Sequence, residues 1–532
     1  MIRSRYRLLI LVFMSCLFYA CTDTQNEHYS RSGSLPDQSL RELIAANSDL
    51  SVFSKLIEIA EYNVLLSSTQ TFTVWAPNNN ALSGINMNTI TKDEARSIVE
   101  NHLARYNHST SENPQRAIRM RNNKVYYFSG EGSSFGGAAI QKHDVLAKNG
   151  ILHTLQSQIP YFPNIYEYIL TSPHTSKMAE FIRQFETSII DPLSIESDGS
   201  IRDTVYIPHN LLFDREVPWL WYGTLHSGLG RINMEDSVYT ALIPDNTAWD
   251  AAYARISPSF RAVGNDLSTQ RLQTSLAIVE DLIFRGAIDN PAGKDSLVST
   301  SPSIIRQPAA LFGNTQKIQA SNGWIFLSGD NVNYTANETW MKPVFVEADE
   351  PEGRRITTNT TIVPRILEGN PGVSATNNRF LEVYQTVLDD NMENQPRVTF
   401  DIPQVLSGRY DIYVEFLPGE LAQQGDRRAT KIRFTLSYRN ANGTTITSMT
   451  SNLETSATGK VKLLVLKGFN FPVANYYDRL WAIDFERGLH TLEERVITTR
   501  LELAVRVTAT EYNSRQFGRS FCVDRIILEP VN

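Results

Sequence analysis

Apolar and polar residues alternate along Thr71-Phe72-Thr73-Val74-Trp75-Ala76, and the run closes on Pro77 and three asparagines before Ala81-Leu82. Alternation of period two predicts a strand; proline cannot extend a ladder, and asparagine suits turn and cap positions ahead of a helix. The same device returns at Val238-Tyr239-Thr240-Ala241-Leu242-Ile243-Pro244-Asp245-Asn246-Thr247-Ala248-Trp249. Upstream, Leu40, Leu43 and Ile44, then Val52, Phe53, Leu56, Ile57 and Ala60, fall at helical spacing. They predict two helices within 40–66, broken near Asn47-Ser48-Asp49, and a further amphipathic helix is predicted over 93–106.

Flanking echoes turn the recurrence into an internal repeat, because a duplicated unit keeps the order of its motifs. Glu42-Leu43-Ile44 with Ser51-Val52-Phe53 matches Glu167-Tyr168-Ile169 with Ser176-Lys177-Met178, and Asn149-Gly150-Ile151-Leu152-His153 matches Asn322-Gly323-Trp324-Ile325-Phe326. Offsets of about 125, 167 and 173 residues place roughly 40 extra residues before the second copy's strand. An insertion of that size, about 190–230, is expected on the surface.

Beyond Trp340-Met341-Lys342-Pro343 the pattern changes to strands without long helices. Runs at 344–348, 397–402, 410–416, 431–438, 460–466, 501–507 and 521–528 mostly alternate, with turn signals such as Ser407-Gly408 and Asn442-Gly443 between them. Seven or eight such strands predict a β-sandwich of jelly-roll type.

The strand closed by "AP-x-N", the helix pair before it and the later "N-G-apolar-apolar-H" resemble the fasciclin (FAS1) domain, an α/β adhesion-type module, over about residues 35–335. The second copy departs from the pattern, with Phe326 for His153 and Trp249 after Ala248. The last third, through "VEA", "VTFDIPQVLSGRYDIYV" and "FCVDRIILEP", resembles carbohydrate-binding jelly rolls of the galactose-binding-like type. The expected fold is therefore multidomain: FAS1 domains at 37–161 and 162–335, then an all-β jelly-roll sandwich at 340–532.

At the start of the chain, Arg3, Arg5 and Arg7 precede an apolar run at 8–18 that leads to Ala20-Cys21. A basic segment, a short apolar core and a small residue before cysteine predict a lipoprotein signal over 1–21, with Cys21 as the lipid attachment site. An ordinary secretory signal with an incidental cysteine is the alternative. Residues 22–36 are polar and read as a flexible tether, in which Asp23 and Glu27 resemble the surface-export signal of Bacteroidota lipoproteins. Short D-[ST]-aliphatic strings such as Asp203-Thr204-Val205 resemble the O-glycosylation pattern of exported proteins of that group.

Of the three cysteines in 532 residues, Cys16 falls within the signal, and Cys522, in an alternating run, reads as a small buried hydrophobe. A formal charge of −7 argues against a nucleic-acid partner, because phosphate binding needs a basic face. His102 reads as a hydrogen-bonded core histidine, since no second ligand stands at metal spacing. Gly132-Ser133-Ser134-Phe135-Gly136 satisfies G-x-S-x-G, but Gly137-Ala138-Ala139-Ile140 leads into a strand where a nucleophile elbow needs a helix, so a hairpin loop is expected. No metal, cofactor or catalytic signature emerges.

Two aromatic clusters carry the binding expectation. Trp219, Trp221 and Tyr222 lie on the insertion, and Tyr476, Tyr477 and Trp481 in a loop of the last third. Flat rings with polar edges suit sugars and peptide side chains alike. Either set can instead pack inward, the first against its own domain and Trp481 with one tyrosine into the sandwich core. The resemblance implies an outer-membrane lipoprotein that captures glycan or peptide beside a SusC/SusD-type transporter, with adhesion to other cell surfaces as the alternative and a hydrolase as the least favoured reading.

Overall fold

The computed structural model describes residues 36–531 apart from 112–116, 191–205, 216–218, 222–223, 227, 351, 358, 368–377, 476–478, 490 and 492–496. Cys21, Asp23, Glu27 and the signal segment therefore lie outside the described residues. The chain divides into two compact units, Met1–Tyr161 and Phe162–Asn532.

The first unit is built around the Phe72–Pro77 strand, buried along its whole length. It pairs in parallel with Gly150–Leu155 and antiparallel with Leu103–Arg105, inside a six-stranded sheet. Phe72, Val74 and Ala76 pack with the helices Leu40–Ala46, Ser51–Ile59 and Lys92–Asn101, while Trp75 joins Phe128, Phe135 and Ile159 in a second cluster. Both faces are thus apolar, which explains a strand without an exposed side. The predicted helix at 93–106 ends at Asn101, and Leu103–Arg105 is a strand. Its pairing with Phe72–Val74 supplies ladder bonds and burial that outweigh local helical spacing. The G-x-S-x-G string is a hairpin: Ser134–Phe135 pairs with Ala138–Ala139 across the Gly136-Gly137 turn, and the chain continues as a strand to Ala147.

The second unit repeats the parallel pair in the same register. Tyr239–Pro244 runs beside Gly323–Ser328, and Leu242 sits opposite Phe326 as Trp75 sits opposite His153. The motif residues hold this frame together. Asn79 accepts from the Val52 N–H at 2.9 Å and Asn246 from the Lys177 N–H at 3.0 Å, so each caps the helix that starts at Ser51 or Ser176. Asn149 accepts from the Leu40 N–H at 2.8 Å and Asn322 from the Ile165 N–H at 3.0 Å, while their amides donate to carbonyls of Leu66 and Ile232. Thr73 and Thr240 likewise donate to the carbonyls of Tyr106 and Gly286, both at 2.8 Å.

After Trp340 the chain forms a β-sandwich of two six-stranded antiparallel sheets. One carries Val344–Glu347, Thr360–Ile366, Arg379–Gln385, Ser520–Pro530, Gly408–Leu417 and Val461–Phe471. The other carries Arg354–Ile356, Arg397–Asp401, Arg500–Val505, Lys431–Arg439, Thr445–Met449 and Leu453–Glu454. The inward-facing residues Val398, Phe400, Tyr410, Ile412, Phe434, Leu503 and Ile526 fill the space between the sheets. Repeat and sandwich share apolar packing, since Leu406, Leu480 and Ile483 belong to the core of the second repeat. Backbone bonds tie them further: Ser407 N–H to Ser259 O at 2.8 Å, Ala474 N–H to Arg261 O at 2.8 Å, and Gly264 N–H to Ala441 O at 2.9 Å. The sandwich is therefore welded to the second repeat.

Candidate functional site

The two aromatic clusters differ in what the structure places. Trp219–Trp221 is a strand paired with Thr224–His226, Trp219 opposite His226 and Trp221 opposite Thr224, so both tryptophans occupy one face of a ribbon by register. Their side chains, with Tyr222, Tyr476 and Tyr477, lie outside the described residues. Trp481 is on a helix, Arg479–Glu486, where a loop was expected. That helix is held by Leu480 and Ile483 in the core of the second repeat. The tryptophan itself is half-buried and stacks on Phe485 at 5.4 Å with the rings 9° from parallel. The spacing of four residues puts both rings on one helix face.

A surface that sequence reasoning missed crosses the outer face of the first sandwich sheet. Phe345 pairs with Ile527, Ile527 with Tyr413 and Tyr413 with Leu464, so four apolar residues form one transverse row over four adjacent strands. Phe345 is 50 % exposed and Leu464 40 %, while Ile527 between them is 2 % exposed. The next row reads Glu347, Arg525, Glu415 and Lys462, and Asp411 stands opposite Glu529 on the far side. Arg525 bonds Glu415 at 3.1 Å, Lys462 bonds Glu529 at 2.6 Å, and the cations lie over the rings, Arg525 at 5.0 Å from Phe345 and Lys462 at 4.2 Å from Tyr413. Adjacent strands are about 4.8 Å apart, so Phe345 and Tyr413 stand roughly 10 Å from each other at the backbone. A signal was present. Val344-Phe345-Val346, Ile526-Ile527-Leu528 and Leu463-Leu464-Val465 are continuous apolar runs, and their middle residues break the alternation of a half-buried strand.

Each repeat also bears a cleft. In the second, about 670 Å³ is lined by Tyr168, His174, Asp245, Gln316 and Asp330. In the first, about 630 Å³ is lined by Ile85, Ile90, Ile98, Ile159 and Tyr161, with His102 at its base. The His102 ring is buried; Nδ1 lies 2.8 Å from the Ile98 carbonyl, which can only accept, and Nε2 accepts from the Ile159 N–H at 3.0 Å. That fixes a neutral tautomer, and burial pulls its pKa down to about 4. Unfolding releases a histidine of ordinary pKa, so the first unit loses stability as pH falls from about 6.5 toward 4. Thermal melts over that interval should show the decline, and His102→Gln should flatten it; an unchanged profile in the variant removes His102 as its source.

Residues 48–159 match the family model of the fasciclin domain. Among solved structures, a FAS1 domain pair from the insect cell adhesion molecule fasciclin I aligns with 55 % of this chain and 99 % of its own, at 16 % identity and a TM-score of 0.20. The CBM22-1 xylan-binding domain from Paenibacillus barcinonensis Xyn10C aligns with 36 % of this chain and 93 % of its own, at 11 % identity and a TM-score of 0.20. A CBM61 module in complex with β-1,4-galactotriose aligns with 35 % and 92 %, at 10 % identity and a TM-score of 0.18. No curated protein matches the sequence.

Proposed function

We propose that this protein binds glycans without transforming them, as a lipid-anchored component of a bacterial outer membrane. The observation that carries the reading is the row Phe345, Ile527, Tyr413 and Leu464, an apolar band on an open sheet face bordered by rows of carboxylates and cations. A sugar ring offers apolar C–H faces to aromatic rings and hydroxyls to flanking charged groups, so a band of this composition matches an extended glycan chain. Among the described residues no group of three or more His, Cys, Asp or Glu is arranged to hold a metal ion. Cys21 supplies the anchor in this reading, and capture beside a SusC/SusD-type transporter is its specific form. Co-purification of a large β-barrel from detergent tests that partner.

Affinity electrophoresis through gels containing individual polysaccharides tests the binding reading. Wild-type protein is expected to be retarded by at least one glycan, and Phe345→Ala or Tyr413→Ala to weaken that interaction roughly thirty-fold, the effect of truncating an aromatic anchor. Trp219→Ala and Trp221→Ala ask the same of the insertion. Free migration through every gel sinks the reading. The fasciclin match over 48–159 favours a second reading, adhesion to neighbouring cells, which predicts loss of attachment in a deletion strain.

A further inference from the structure

The opposite face of the sandwich carries a different chemistry. On the outer side of the second sheet, Ala504 pairs with Arg397 on one neighbouring strand and Arg433 on the other. Two residues along the same strand face stands Arg506, whose N–H bonds the carbonyl of Lys431 at 2.8 Å. Four cationic side chains, Arg397, Arg433, Arg506 and Lys431, thus surround a fully buried alanine methyl. Among the described residues, two carboxylates pair with them. Glu393 bonds both Arg397 and Arg506, and Glu511 bonds Lys431. Glu393 is held down at about 2 by its bonds to Arg506 and Arg397, so it is ionised throughout the neutral range and still leaves an excess of positive charge. That excess stands in a chain whose formal charge is −7.

Hydrogen bonding at this face is incomplete. The Nε–H groups of Arg397, Arg433 and Arg506 are all buried and have no acceptor among the described residues. Arg506 is 6 % exposed at its side chain, and Arg433 makes no ion pair, with Glu502 in the next row or with any other described carboxylate. A buried donor without an acceptor is destabilising, and three of them stand around one small residue. Guanidinium groups present planar forks that match two oxygens of one anion.

We propose that Arg397, Arg433 and Arg506 around Ala504 form a binding site for the oxyanion of an acidic glycan, a uronate carboxylate or a sulfate ester. The glycan identity rests on the capture reading above, whereas the oxyanion site stands on its own geometry. The two sandwich faces would then divide the work, the aromatic band taking uncharged stretches and the arginine site the charged substituents.

Melting the full chain in sodium sulfate against sodium chloride at matched ionic strength tests the site. Sulfate stabilises proteins non-specifically by exclusion, so the readout is the difference between wild type and Arg433→Gln. Wild type is expected to gain a saturable stabilisation by sulfate that the variant lacks, while both melt alike in chloride; equal sulfate responses overturn the site. Arg433→Lys keeps the charge without the fork and should recover only part of the response. Titration calorimetry with an oligo-uronate and with a sulfated oligosaccharide then distinguishes the two sources, Arg433→Gln weakening whichever binds by about ten-fold. Sulfate binding without either oligosaccharide overturns the glycan assignment and leaves the anion site. Phe345-dependent retardation on a neutral glycan is unaffected by that result, so the two readings fail separately.

Discussion

Gly323→Ala is expected to unfold the second unit at temperatures where the wild type is intact. A Cβ at position 323 would lie 1.8 Å from the Tyr239 carbonyl oxygen, inside covalent-contact range, and the glycine's φ of +139° is one that side chains rarely adopt. The carbonyl cannot yield, because Tyr239 is the first residue of the parallel pairing that organises the repeat. Relief requires separating Tyr239–Pro244 from Gly323–Ser328, so the cost is roughly 4 kcal/mol or more. Repeat and sandwich share core residues Leu406, Leu480 and Ile483, and the loss should therefore be felt across the whole unit, as one calorimetric transition moving down while that of the first unit stays. A variant that melts within about 2 °C of wild type would show that the backbone approach at Gly323 is not rigid. A Cβ at position 150 would lie 1.9 Å from the Phe72 carbonyl oxygen, which predicts the mirror result for Gly150→Ala in the first unit.

This glycine shows why the repeat was legible in the sequence. The residues that recur, Asn79 and Asn246, Asn149 and Asn322, Thr73 and Thr240, Gly150 and Gly323, each perform one backbone task that few side chains perform. Such positions persist in a duplicated chain while packing residues drift, as Trp75 did against Leu242 and His153 against Phe326. The sandwich was legible where strands alternate cleanly, as in Lys431–Arg439. Thr360–Ile366, with a proline inside it, and Thr445–Met449, with mostly exposed side chains, lack that signal and were missed. The welding of sandwich to repeat was not legible at all. Leu480 and Ile483 read locally as any apolar pair, and only the long-range fold brings them to the repeat's core. The aromatic band was hidden for a related reason: register between strands far apart in sequence decides which out-of-phase residues line up.

Glu382→Ala should destabilise the sandwich by about 3–5 kcal/mol, the range for breaking a buried ion pair from one side. The side chain is fully buried on Arg379–Gln385, and its Oε1 accepts the N–H groups of Gln423, Gln424 and Gly425 at 2.9, 2.8 and 2.7 Å. Oε2 takes the Arg365 Nε–H at 2.7 Å. One carboxylate thus pins the crossing loop to the sheet over Phe380, Leu417, Ala422 and Cys522, and its removal strands three backbone donors and a guanidinium. Burial by itself would push the carboxyl pKa up, but the Gly425 and Gln424 N–H groups and Arg365 together bring it below the usual value. With the folded pKa depressed, the stabilisation is present above the unfolded glutamate's pKa of about 4.3 and is lost as pH falls below it. Glu382→Gln, which keeps the shape but not the charge, should therefore melt well below wild type at pH 7 and approach it as the buffer is taken toward pH 3. A gap between the two that stays constant over that range would mean the loop is held by packing around Cys522, with the carboxylate's charge contributing nothing.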